Sequence, residues 1–291
     1  MSLSTIIGID LGGTKCNVVH FEENTWNSER VEQIPTEAEK GFDDVLERAC
    51  NLATKMKTAT TKALGIGIAG LVDHERGILF RAPNIPGSEQ FPVKATLEKK
   101  LNLPVHLDND AHCFTLAEAL HGAGKGHRVV IGITMGTGVG GGIVIDGKLY
   151  HGAHGFAAEL GHMLLQPGKP PYPTDDTRGE VEQFLSGTAM RNRCSAAKRP
   201  EEYLEGEVCS FMRPDIFREV AWLCANLTHL LDPSIIIFGG SSGKALKPHF
   251  KEIEKEFKQW SLPGSPVPML AISELPHPGA LGAAMLTKDM L

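Results

Sequence analysis

The apolar positions of this chain fall in short runs that stop at glycine. Residues 6–9 and 16–21 read as two strands joined by Gly12-Gly13-Thr14. Residues 129–133 and 143–145 repeat the arrangement around Gly136-Thr-Gly138-Val-Gly-Gly-Gly142. Ile7-Gly8-Ile9-Asp10-Leu11-Gly12 aligns with Ile131-Gly132-Ile133-Thr134-Met135-Gly136, 124 positions on. A repeat on this scale predicts two similar α/β domains. Each contributes a turn whose N–H groups, with no side chains in the way, form a cradle for phosphate.

The remaining pattern alternates helix and strand. Residues 36–56 place Phe42, Val45, Leu46, Ala49 and Leu52 at helical spacing. Residues 63–68 form an apolar strand without a polar face, ending at Ala69-Gly70. Residues 81–87, which include Asn84, read as a loop, and residues 92–101 as a helix. A short strand at residues 105–107 ends in Asp108-Asn109-Asp110, and a helix follows over residues 111–122. In the second half, the proline-rich residues 166–178 read as an irregular excursion. Residues 181–194, 214–231 and 246–260 predict helices, and residues 234–238 a buried strand ending in the turn Gly239-Gly240. A strand at residues 269–272 precedes a small-residue helix over about 278–291. The expected domains are 1–110 and 111–277, with that last helix packing back on the first.

Composition narrows the function classes. The 291 residues are 42% hydrophobic and 22% charged, ordinary for a globular protein, and the formal net charge of −6 favours neither nucleic acid nor an anionic membrane. No apolar run is long enough to span a bilayer, and the start lacks the pattern of a signal peptide. The six cysteines, Cys16, Cys50, Cys113, Cys194, Cys209 and Cys224, form no C-x-x-C pair. They fit buried thiols in a reducing, cytoplasmic compartment.

The candidate chemistry lies at the turns. Gly136-Thr-Gly138-Val-Gly-Gly141 satisfies G-x-G-x-x-G, but a strand follows where a dinucleotide site needs a helix, and no G-x-x-x-x-G-K-[ST] is present. Asp110, at a strand–helix junction, is placed to accept a proton from an attacking hydroxyl. Helix capping is the structural alternative, but Asp108, Asn109 and Asp110 cannot all be caps. Asp10 suits Mg²⁺ beside phosphates or a turn-forming role. Thr14 and Thr137 offer hydroxyl donors, and Lys15 a charge. Glu159 and His162 share a face if their segment is helical, and a lone E-x-x-H is weak evidence for metal. Surface or loop roles are the default for His106, His112, His121, His127, His151 and His154.

Together these motifs resemble the ROK family of sugar kinases, within the actin/hexokinase/Hsp70-like ATPase fold. The resemblance rests on Asp10-Leu-Gly-Gly-Thr14, Asn84, Leu107-Asp-Asn-Asp110-Ala, Gly136 to Gly142, Glu159-Leu-Gly-His162, Glu182 within Glu182-Gln-Phe-Leu-Ser-Gly187, and Asp232-Pro233 leading to Ile237-Phe-Gly-Gly240. It implies two actin-like, ribonuclease H-like domains with a cleft between them, and ATP-dependent phosphorylation of a hexose or N-acetylhexosamine, at O6. Residues 107–114 look most like those of bacterial N-acetylglucosamine kinases, with glucokinases and fructokinases as runners-up. Asp110 would be the base. Asn109, Glu159, His162 and Glu182 would hold the sugar, with Gly70 and Asn84 lining its pocket. Gly12, Gly13, Thr14, Gly136, Thr137 and Gly138 would face the ATP phosphates, and Gly239 and Gly240 the adenosine. Relatives are often dimers, so a homodimer is expected. One motif departs from the family: its zinc cysteines are replaced by Pro173, Asp175 and Glu180, so no structural zinc is expected and His162 needs another orienting partner. The rival functions are a non-catalytic sugar-binding protein and a sugar-responsive regulator; the latter needs a helix-turn-helix that does not fit before the first strand.

Overall fold

The computed structural model describes residues 4–197 and 200–288. Within them two compact units form. The first runs to Glu118 and adds His151–Ala157 and the residues from Leu275 on; the second comprises Ala119–Tyr150 and Ala158–Glu274.

The first unit opens with a meander of β1 (Thr5–Leu11), β2 (Lys15–Glu22) and β3 (Ser28–Pro35). Helix α1 (Phe42–Met56) leads to β4 (Thr61–Ile68), and the small hairpin β5 (Leu71–Asp73) and β6 (Ile78–Arg81) follows. Then come α2 (Val93–Leu101), β7 (Val105–Asn109) and α3 (Asp110–His121). The sheet order is β3-β2-β1-β4-β7, with β1, β4 and β7 parallel. Parallel pairing places the carboxyl ends of these three strands on one sheet edge, where ligand groups gather in α/β folds.

The second unit repeats this order. Its elements are β8 (Val129–Met135), β9 (Val139–Ile145), β10 (Lys148–Leu149), α4 (Val181–Leu185), α5 (Gly187–Arg193), α6 (Arg213–Leu231), β11 (Ile235–Gly239), α7 (Gly240–Lys244), α8 (Phe250–Trp260) and β12 (Met269–Ile272). The sheet runs β10-β9-β8-β11-β12, again three antiparallel strands followed by two parallel to the first. Strands β1 and β8 occupy the two copies of the sequence repeat.

Alternation along β1 separates two faces. Ile7, Ile9 and Leu11 join the core that includes Phe42, Val45, Leu46 and Ala49 of the amphipathic α1. Gly8 points the other way, toward α9 (Pro278–Met285). A Cβ on Gly8 would lie 2.0 Å from the Ala280 carbonyl oxygen, and one on Gly65 of β4 1.7 Å from that of Ala283. The strand glycines therefore let the helix backbone rest on the sheet. Residues 286–288 leave the helix, and the expected continuation over 289–291 lies outside the described residues.

Several expectations need correction. The first helix begins at Phe42 rather than residue 36, because Gly41 takes a φ of 88° that a helix cannot continue through. The helix expected over 181–194 breaks at Ser186, whose extended backbone caps α5 and whose hydroxyl accepts from the Ala189 N–H. Residues 247–249 form a 3₁₀ turn, so α8 starts at Phe250. Strand β3 and the β5–β6 hairpin were not expected. The boundary at 110/111 also moves, since Cys113 of α3 packs on β4 and α9: a Cβ on Gly67 would lie 3.0 Å from its sulfur, and one on Gly282 1.7 Å from its carbonyl oxygen. Cys194 and Cys209 are joined in a disulfide rather than standing as thiols. The chain between them returns to bring their Cα atoms to 6.1 Å, within bridging range. Among the described residues, no helix is long and apolar enough to cross a membrane.

Candidate active site

In the first unit the turn between β1 and β2 is held shut by backbone. The Gly12 N–H donates to the Lys15 carbonyl. Thr36, beyond β3, clasps the same turn: its hydroxyl donates to the Gly12 carbonyl at 2.7 Å and its N–H to the Thr14 carbonyl at 2.9 Å. Thr14 and Lys15 are exposed and Gly12 and Gly13 half-buried, so the turn faces outward. Asn84 approaches it, its side-chain nitrogen 3.9 Å from where a Gly13 Cβ would stand.

The ends of β1, β4 and β7 bring the other first-unit candidates together. Asn109 closes β7 and caps α3, its side-chain oxygen accepting from the N–H groups of Ala111 and His112 at 2.8 and 3.2 Å. Its amide donates to the Gly70 carbonyl at 3.0 Å, which leaves one N–H for a ligand. Gly70 packs against the chain at Arg81–Ala82. Asn109 caps α3 through two N–H groups, and Asp110 Oδ1 shares one of them, accepting from the Ala111 N–H at 2.9 Å.

Burial pushes the Asp110 carboxyl up to about 7, and the neighbouring charge of Asp10 adds to the shift. Burial also pushes Asp10 up to about 6, opposed by the Asn17 amide that donates to its Oδ2 at 3.3 Å. Gly279 of α9 touches the same carboxyl, where a Cβ would lie 2.7 Å from the Asp10 Cγ. Two close carboxylates whose charged forms are both disfavoured form a site suited to a divalent cation. The chemistry of this carboxyl pair fits a divalent cation such as Mg²⁺.

The second unit assembles its own candidates around β8 and β9. The Gly136 N–H donates to the Gly138 carbonyl, tightening the hairpin tip. Ser186 to Thr188 clasp it: Gly187 N–H donates to the Gly136 carbonyl at 2.8 Å, and the Thr188 hydroxyl to the Thr137 carbonyl at 2.9 Å. Gly240, at a φ of 75°, lies with its α-carbon against the Met135 backbone, so the Gly239-Gly240 junction adjoins the hairpin. That turn also opens α7.

Glu182 is also on the hairpin. Its Oε2 accepts from the Val139 N–H at 2.8 Å and would lie 2.4 Å from a Gly138 Cβ. The residue expected to hold sugar thus braces the glycine hairpin. Glu159 precedes a single 3₁₀ turn, Leu160–His162, that packs on β9, with Gly161 against the Val139 carbonyl. His162 finds the orienting partner it lacks in the absence of thiolates: its Nδ1 meets Glu180 Oε2 at 2.9 Å. That hydrogen bond, opposed by partial burial and helped by the charges of Glu180, Glu159 and Glu182, raises the imidazole above its ordinary value. Arg178 pairs with the other Glu180 oxygen at 2.6 Å and with Asp176. Of the three replaced cysteine positions, Glu180 joins this ion-pair chain.

The sequence did not single out Thr36, Ser186 or the contact of Gly279 with Asp10, and it marked Glu180 only as a replaced cysteine, not as the partner of His162. Thr36 and Ser186 act through backbone clasps or capping that leave no motif. Gly279 left a trace in the small-residue spacing of its helix. His112 is buried rather than placed in a loop or on the surface, its Nδ1 facing Asp108.

The profile of the ROK family matches residues 6–290. The chain belongs to the ROK family. It is 34% identical to a glucokinase of Streptomyces coelicolor, over 97% of each chain, and 28% identical to an N-acetyl-D-glucosamine kinase of Yersinia pseudotuberculosis, over 93% of this chain and 91% of that one. Among solved structures it resembles a ROK family glucokinase from Streptomyces griseus in complex with glucose and AMPPNP, with a TM-score of 0.79 and 31% identity over 99% and 100% of the two chains. Each unit of this ROK protein carries the actin-like sheet order, and the glycine turns lie at equivalent hairpins in both.

Proposed function

We propose that this chain is an ATP-dependent kinase that phosphorylates a hexose or N-acetylhexosamine, glucose or N-acetylglucosamine at O6. The observation that carries the assignment is Asp110, a carboxyl at the β7–α3 junction pushed up to about 7, beside a helix cap that Asn109 supplies through two N–H groups. A base of that strength is matched to neutral pH, where it takes the proton of the sugar hydroxyl as the γ-phosphoryl group arrives. Asn109 directs its remaining amide N–H to the sugar, with Gly70 and Asn84 shaping the wall. Glu159, His162 and Glu182 bind further hydroxyls. Gly12, Gly13, Thr14, Gly136, Thr137 and Gly138 present N–H and hydroxyl donors to phosphate oxygens, Lys15 adds charge, and Gly239 and Gly240 give the adenosine a flat approach. Asp10 holds Mg²⁺, which when bound offsets the negative charge of the phosphates.

The use of ATP favours the cytoplasm. Exposed Leu230, Trp260, Leu262 and Met269 on the second unit supply apolar surface for a homodimer. A coupled ADP-release assay across glucose, N-acetylglucosamine, N-acetylmannosamine, mannose and fructose tests the activity. Turnover of glucose or N-acetylglucosamine is expected. Preference for fructose would make the chain a fructokinase, and sugar binding without turnover a non-catalytic sugar-binding protein.

A further inference from the structure

The first unit holds a second polar cluster that the kinase chemistry does not use. Asp108 is buried at the end of β7, His112 is buried in the first turn of α3, and His151 is half-buried in the segment that the first unit takes from the middle of the chain. Asp108 Oδ1 lies 2.8 Å from His112 Nδ1, and Oδ2 lies 2.7 Å from His151 Nε2. One donor atom from each of the three lies within 4.8 Å of the others.

The proton count at His112 is informative. Its Nε2 lies 3.1 Å from the Ala157 carbonyl oxygen, which can only accept. Nε2 therefore carries the hydrogen, and in a neutral ring Nδ1 is left with a lone pair. That lone pair faces a buried carboxylate 2.8 Å away, and the two repel unless a second ring proton or a metal ion lies between them. The ring orientation also matches that of a metal ligand: one imidazole nitrogen toward the site, the other donating to a backbone carbonyl. The His151 ring is held in place as well, stacked on His74 at 3.8 Å with a 12° tilt.

We propose that Asp108, His112 and His151 form a binding site for a divalent metal ion of the zinc class. Two imidazole nitrogens and a carboxylate oxygen select zinc, cobalt or nickel over magnesium and calcium. Bonds of about 2.0–2.2 Å put tetrahedral ligands about 3.3–3.6 Å apart, so the side chains need only small shifts to open around the ion. Three protein ligands leave a fourth position for water. The ion ties residues 151–157 to the β7–α3 junction that carries Asn109 and Asp110. The site is distinct from the corner at His162, where no zinc is expected, and it does not depend on the chain being a kinase.

The test uses the full chain, stripped with a chelator and titrated with Co²⁺, whose visible absorption reports tetrahedral nitrogen and oxygen ligation. One Co²⁺ per chain is expected, displaced by one Zn²⁺, with Zn²⁺ raising the melting temperature. His151→Gln changes a half-buried residue outside the helices and strands, and should weaken binding at least about tenfold. His162→Gln should leave binding unchanged. Absence of a saturable Co²⁺ band together with no Zn²⁺ shift in melting would overturn the site. So would binding lost in His162→Gln but kept in His151→Gln. A measurement on the unmodified protein gives an independent check: ¹⁵N spectra of the zinc-saturated chain should show His112 with a proton on Nε2 alone. A ring protonated at both nitrogens would mean that the cluster is an ion pair and not a metal site.

Discussion

The two units share a sheet order but hold their polar groups in opposite ways. In the first, Asp10 and Asp110 sit against tightly packed backbone, with Gly279 touching Asp10 and α9 lying directly on the glycines of β1 and β4. Burial pushes both carboxyls up. In the second, His162 is about half exposed and is held by the chain of Glu180, Arg178 and Asp176. On the proposed function, the first unit tunes a base by burial, and the second aims binding groups through solvated partners. Changes in the first should therefore act on the chemical step, and changes in the second on affinity.

The sharpest way to break this contrast is Asp110→Asn. Loss of a general base costs roughly 10²–10⁴-fold in rate, so turnover should collapse while sugar titrates with nearly unchanged affinity. Near wild-type turnover would remove Asp110 from the mechanism. The pH profile follows from the same carboxyl. Since the active base is the ionised form, kcat/KM should fall as pH drops through about 7. Stability moves the other way. The folded state holds its proton more tightly than the unfolded chain, so the stabilising proton is present at low pH and is lost as pH rises through about 7. Asp110→Asn should then melt several degrees above the parent at pH 8, with the gap narrowing toward pH 5. An unchanged gap would mean that Asp110 is not strained by burial.

The second contrast lies inside the second unit. Glu159→Gln should weaken sugar by roughly 10- to 150-fold, the value of a hydrogen bond to a charged group, and leave a non-hydrolysable ATP analogue unaffected. Glu182→Gln should weaken both ligands, because its carboxylate supports the Val139 N–H of the phosphate hairpin. Calorimetric titration of each ligand separates the two residues. Loss of sugar affinity alone in Glu182→Gln would show that its contact with the hairpin carries no energy.

Legibility in the sequence followed the same physical division. The repeat was visible because buried strands need continuous apolar runs and their turns need glycine, and both copies carry this pattern 124 positions apart. Asp110 was visible because strand–helix junctions are short. Strand β3 was not, since Ser-Glu-Arg-Val-Glu-Gln-Ile-Pro is almost wholly exposed and is held to β2 by backbone pairing rather than by an apolar face. The break between α4 and α5 was hidden because Ser186 and Gly187 interrupt a sequence that otherwise keeps helical spacing. The double use of Glu182, the pairing of Cys194 with Cys209 and the His112 cluster depend on contacts between residues far apart in sequence, which periodicity does not record.

The smallest expected effect concerns Glu180, which replaces a thiolate of the family pattern. Glu180→Gln removes the acceptor charge beside His162 and should let its imidazole fall back toward the ordinary value of about 6.5. The stability this pair contributes is present while His162 is protonated, fully so below its unfolded value, and fades as pH rises through the raised folded value. With His162 about half exposed, solvent screening keeps that contribution well under about 1 kcal/mol. The variant should therefore fold normally and melt close to the parent at pH 8. Its signature is instead the NMR titration of the His162 ring, shifted to lower pH, together with a change of a few-fold at most in sugar affinity near pH 7. If the titration stays in place, Glu180 does not orient His162 through charge. If sugar binding is lost altogether, this corner is as tightly determined as the Asp110 pocket, and the contrast between the units fails.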